Sequence, residues 1–179
     1  GIADVSILRS LQELRTLNLS ENDLTDITPL QSLGELQSLD LSSNVITDIS
    51  PLRTLKKLHM LDLSWRVVEH QGATLDLSPA RDLTSLNDLR LVATRIRDFA
   101  VLRDLWRLPL TSLNLSMTKL QDLRALWGFA GLKKLSLSGN GVLDIRTLSE
   151  TMLKLEYLDL SDNGLSPDQI NFLYAQENL

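Results

Sequence analysis

Cysteine is absent from the 179 residues, which excludes disulfides, thiolate metal ligands and a cysteine nucleophile. Histidine is nearly absent too: His59 and His70 are the only two, and no third ligand stands at a metal-binding spacing from them. Aromatic residues make up 4% of the chain, so aromatic packing does not build the interior. No run approaches the roughly 18 apolar residues that span a bilayer, and no charged-then-apolar opening resembles a secretion signal. A basic stripe is missing as well. With a net charge of −5 and scattered Lys and Arg, a nucleic-acid backbone is repelled overall. No G-x-S-x-G occurs. These absences predict a chain with no catalytic residue, no cofactor and no metal, without membrane insertion and without a nucleic-acid partner.

Leucine at a fixed phase is what the chain has in abundance. Aligning the copies on their first leucine gives Leu14, Leu36, Leu58, Leu86, Leu110, Leu132 and Leu155, in steps of 22, 22, 28, 24, 22 and 23 residues. A partial copy over residues 1–13 precedes them, because Ile2, Asp4, Val5, Leu8 and Leu11 match Ile46, Asp48, Ile49, Leu52 and Leu55. The chain is therefore expected to begin in mid-repeat and to be a piece of a longer protein, folded as a single array over residues 1–179.

Each copy reads in two halves. The first, L-x-x-L-x-L, alternates with period two and predicts a short strand with leucines on one face. The second, D-I-x-P-L-x-x-L, spaces its apolar residues by three and predicts a 3₁₀ turn or short helix. Asp4, Asp26, Asp48, Asp76, Asp98, Asp122 and Asp144 sit where a side-chain oxygen can take the first N–H groups of that turn. Pro29, Pro51 and Pro79 suit its opening residues. Asn22, Asn44, Asn140 and Asn163 fall in the turn after the strand, where stacked buried amides can satisfy neighbouring backbones. Arg66, Thr94 and Thr118 replace asparagine in the middle copies, which predicts a differently filled ladder there. The serines Ser20, Ser42, Ser64, Ser116, Ser138 and Ser161 recur at one phase and read as surface or ladder residues, not nucleophiles.

The phrase L-x-x-L-x-L-S-x-N-x-I-x-D-I-x-P-L resembles the 22-residue leucine-rich repeat of bacterial internalins and of the phosphatase-1-regulatory class. The resemblance covers nearly the whole chain. It implies an α/β fold, a curved leucine-rich repeat solenoid with a parallel sheet on the concave face and 3₁₀ or short helical turns on the convex face. It also implies a protein-binding role for the concave face, although unrelated functions share the repeat.

Recognition is expected where the copies break their pattern on the sheet face. The first two copies present small polar residues, Thr16, Asn18 and Ser20, then Ser38, Asp40 and Ser42. The third and fourth change character, with His59, Met60, Asp62, Trp65 and Arg66, then Asp88, Arg90, Val92 and Arg95. Met, Trp and Arg are types enriched at interfaces. The candidate partner-binding set is His59, Met60, Asp62, Trp65, Arg66, Asp88, Arg90, Val92, Met117 and Tyr157. Trp65 reads equally as a packing residue over an inserted loop, Glu69-His70-Gln71-Gly72-Ala73-Thr74, which itself can carry recognition or be neutral.

Trp106 and Trp127 fall in the convex turns and are expected to pack between coils. Ser166-Pro167-Asp168-Gln169 predicts a capping helix over 167–176, whereas no such cap precedes the first coil. The sequons Asn18-Leu19-Ser20 and Asn114-Leu115-Ser116 would put glycans on the sheet face in a eukaryotic secretory pathway. A cytoplasmic or a bacterial secreted or surface setting is therefore favoured. The expected whole is a monomeric, non-enzymatic protein-interaction module, with the recognition arm of a larger bacterial effector or enzyme as the alternative.

Overall fold

The computed structural model describes residues 1–64, 74–151 and 154–174. Seven strands of three residues each lie side by side in sequence order and all parallel: β1 Thr16–Asn18, β2 Ser38–Asp40, β3 Met60–Asp62, β4 Asp88–Arg90, β5 Ser112–Asn114, β6 Lys134–Ser136 and β7 Tyr157–Asp159. Register follows the repeat: Leu17, Leu39, Leu61, Leu89, Leu113, Leu135 and Leu158 pair in one row across the sheet. The period-two pattern explains why. In β2 to β6 the central leucine is buried, and its neighbours point to the other face.

Behind the strands the chain returns through 3₁₀ turns at Ser6–Ser10, Thr28–Ser32, Ser50–Thr54, Ser78–Asp82, Phe99–Val101 and Leu123–Leu126. Two of the returns hold short helices, α1 Leu102–Leu105 and α2 Arg146–Thr151. Strands about 4.8 Å apart with bulkier turns behind them make the sheet the inner side of the solenoid. Leucines and isoleucines of both halves meet between these layers in one continuous core, from Val5 to Leu148.

The phased aspartates act as expected, with one refinement. All seven accept from the N–H two residues on, as in Asp48 Oδ1 with Ser50 N at 2.7 Å and Asp122 Oδ1 with Arg124 N at 3.0 Å. Only Asp98 and Asp122 are themselves the capping residue of a 3₁₀ turn. In the first four turns the cap is the apolar residue that follows the aspartate.

The asparagine ladder is present. Asn44 is buried, donates to the Leu19, Leu41 and Ser42 carbonyls at 2.8–3.1 Å and accepts from Leu24 N at 3.0 Å. Asn140 and Asn163 repeat this on the coils beside them. In the middle the ladder is filled with threonine: Thr94 Oγ1 donates to Leu63 O at 2.9 Å, and Thr118 Oγ1 to Leu115 O at 2.7 Å. Arg66 lies outside the described residues. The closing helix is α3, Pro167–Tyr174, ending short of the expected residue 176 because residues 175–179 are not described. Its start is a reciprocal capping box: Gln169 Oε1 accepts from Ser166 N at 2.7 Å, and Gln169 N donates to Ser166 Oγ at 3.4 Å. At the opposite end Ile2, Ile7 and Leu11 are exposed.

Candidate protein-interaction surface

A second recurring turn, missed in the sequence, explains much of the sheet face. At the end of five strands an Asn or Asp accepts from the N–H two residues on: Asn18 from Ser20, Asp40 from Ser42, Asp62 from Ser64, Asn114 from Ser116 and Asp159 from Ser161, at 2.8–3.0 Å. The repeated N/D-L-S was the signal for it. Both sequon asparagines, Asn18 and Asn114, hold such turns with their side-chain oxygens. Three carboxylates on this face therefore already have a structural task.

Repeats four and six break the rule, and the fourth does so with a cation and an apolar residue, Arg90 and Val92. Freed from the turn, Arg90 reaches back along its own strand. Its Nη2 lies 2.8 Å from Asp88 Oδ2, and its Nη1 lies 3.9 Å from Asp62 Oδ2 on β3. The Asp88 hydrogen bond, opposed by burial and aided by the charges of Asp88, Asp62 and Asp40, holds the guanidinium above its ordinary pKa. The Arg90 side chain remains 48% exposed, whereas those of Asp88 and Asp62 are 21% and 15% exposed. The result is a pre-positioned cation ringed by carboxylates.

Strand pairing sets Met60 opposite Asp88 and Asp62 opposite Arg90, so Met60, Asp62, Asp88 and Arg90 form one block on β3 and β4. Val92 joins it just past β4, its N–H donating to Ser64 Oγ at 3.1 Å. His59 is exposed at the entry to β3. The other candidates lie apart. Met117 sits in the turn after β5 with φ 59°, and Tyr157, 52% exposed, is on β7, three strands from β4 or roughly 14 Å. Trp65, Arg66 and the insertion up to Ala73, His70 included, lie outside the described residues. Among the described residues, no group of three or more His, Asp or Glu could hold a metal ion, and no helix is long and apolar enough to cross a membrane.

On the convex side Trp106 and Trp127 are each 49% exposed. Trp106 does pack between coils, against Gly128: a Cβ built on that glycine would stand 3.0 Å from Trp106 Cβ and Cγ.

Models described as leucine-rich repeats match residues 10–27, 34–65 and 154–174. The chain is a leucine-rich repeat protein. No curated protein matches it by sequence. Among solved structures it is similar to internalin F of Listeria monocytogenes, at 26% identity and a TM-score of 0.72 over 99% of this chain, and it spans 56% of that chain. The leucine-rich repeat ectodomain of the Arabidopsis thaliana receptor kinase GASSHO1/SCHENGEN3, solved with Casparian strip integrity factor 2, has 23% identity and a TM-score of 0.60 over 96% of this chain and 21% of its own. TLR13, solved with a single-stranded RNA, has 24% identity and a TM-score of 0.66 over 89% of this chain and 24% of its own. These last two likenesses show the fold alone. The leucine-rich repeat array is thus similar to bacterial internalins and shares a fold that other proteins use for protein and RNA ligands.

Proposed function

We propose that this leucine-rich repeat array binds a protein partner through its sheet face, centred on Met60, Asp62, Asp88, Arg90 and Val92, and that it binds rather than catalyses. The observation that carries this reading is the exchange of the strand-end turn for Arg90 and Val92. It exchanges the strand-end bond that five other copies keep for one from Val92 N–H to Ser64 Oγ, and it presents a half-exposed guanidinium beside a methionine. Arg and Met are interface-enriched types, and a guanidinium held by neighbouring carboxylates loses little freedom on binding. Three carboxylates, Asp40, Asp62 and Asp88, surround the one cation, so this block repels a phosphate backbone and favours protein over RNA. His59 borders this block, while Tyr157, on β7, and Trp65 and Arg66, as candidates from the sequence, belong to the same proposed partner-binding set.

The setting we favour is bacterial, as a surface or secreted protein, on the likeness to internalin F; a cytosolic scaffold is the second reading, on the lack of cysteine. The test is affinity capture with the parent chain beside the Trp65→Ala, Arg90→Ala double variant. A protein retained by the parent and lost from the variant supports the reading. Equal recovery on both would contradict it.

A further inference from the structure

The turn leaving six of the seven strands bends through the left-handed region, at Glu21, Ser43, Ala93, Met117, Gly139 and Asp162, with φ of 54–68°; the turn after β3 lies outside the described residues. Two residues on, repeats six and seven bend again at Gly141 and Gly164, φ 71° and 70°, with the residue that adopts this conformation freely. The fifth repeat makes the same second bend with Lys119, φ 69°. A lysine is strained there. Its exposed side chain makes no hydrogen bond or ion pair with any described residue, so the fold gains nothing visible in exchange. Strain retained without a structural return points to function.

The surroundings give that function a chemistry. Arg95 stands at the same phase one coil earlier, exposed and also without an ion pair among the described residues. Beside these cations is an apolar ledge. Met117 is 51% exposed and rests over Gly139, where an added Cβ would lie 3.1 Å from its Cγ. Val92 and Ala93 are half-buried in the preceding coil, and the Ala93 N–H donates to Ser116 O at 2.8 Å.

We propose that this rim docks an acidic segment of a protein partner, with an apolar side chain on Met117, Val92 and Ala93 and carboxylates on Arg95 and Lys119. Charge selects the occupant: two exposed cations on adjacent coils, neither ion-paired among the described residues and roughly 5 Å apart in backbone spacing, repel each other until carboxylates sit between them. The apolar ledge favours a peptide over a nucleic acid, whose phosphates would gain nothing from it. This rim meets the sheet-face block at Val92, but Arg95 and Lys119 lie outside that block, and its test does not depend on that reading.

The test is an NMR titration of the isotope-labelled chain with three probes: the peptide EELEE, the peptide KKLKK, and a short single-stranded RNA. The Met117 methyl and the Lys119 amide are expected to shift with EELEE alone, and an Arg95→Gln, Lys119→Gly variant is expected to bind it about tenfold more weakly. Arg90→Ala should bind EELEE as the parent does, and Lys119→Gly alone should melt no lower than the parent. No shift with EELEE, an equal shift with KKLKK, tighter binding of the RNA, or unchanged binding by the double variant would overturn the proposal. So would loss of EELEE binding in Arg90→Ala, which would move the acidic site to the sheet face, or a lower melting midpoint for Lys119→Gly, which would make the lysine structural.

Discussion

Single residues carry two kinds of work here, and their chemistry separates them. Asn44 bridges two coils with every polar group of its amide, so Asn44→Ala should leave Leu24 N and Leu41 O unpaired, leave Leu19 O with Asn22 alone, and cost about 2–4 kcal/mol in thermal or denaturant unfolding. Asp122 and Asp144 show the electrostatic counterpart. Hydrogen bonds from the Arg124 and Arg146 side chains, then from their backbone N–H groups, pull the two carboxyls from 3.8 to about 2. A folded-state pKa below the unfolded one stabilises above the unfolded value. That contribution is therefore complete above pH 4 and fades as pH falls toward 2. Titration of both carboxylates by NMR should show midpoints near 2, and midpoints near 4 would remove these bonds from solution. The ladder asparagines and turn aspartates were legible because each recurs at fixed phase. Arg90 was legible as a departure, but its clasp by Asp88 and Asp62 was not, since pairing across strands depends on register.

At the level of elements, the alternation of L-x-x-L-x-L and the three-residue spacing after each aspartate specified strand and 3₁₀ turn almost completely, because a solenoid coil is local in sequence. What the pattern hid was of two kinds, hydrogen bonds inside a turn and contacts that need two coils at once. The N/D-L-S turn was visible as letters but not as hydrogen bonds, and the seating of Trp106 on Gly128 joins residues 22 positions apart. Gly128 has φ +96° and a Cβ there would press on Trp106 at 3.0 Å, so Gly128→Ala should cost about 1–3 kcal/mol by chemical denaturation. An unchanged midpoint would mean that Trp106 moves away without penalty.

Across the whole molecule, one leucine core runs the length of the array, so a cavity at its centre should be felt globally. Leu39→Ala is expected to cost about 2–5 kcal/mol, read from a urea transition. The fold followed from repetition; the proposed binding site did not, because it is placed at the few positions where repetition fails, and each such position has a packing reading beside the functional one. In the function proposed for this array, the sheet face over β3 and β4 contacts a protein. Calorimetry of the captured partner tests it most directly, with the parent chain, a Met60→Ala, Arg90→Ala variant and a Trp106→Ala, Trp127→Ala variant compared side by side. The first variant is expected to weaken binding by about a hundredfold and the second to leave it unchanged. Full affinity in the first with loss in the second would place the interface on the convex turns and contradict it.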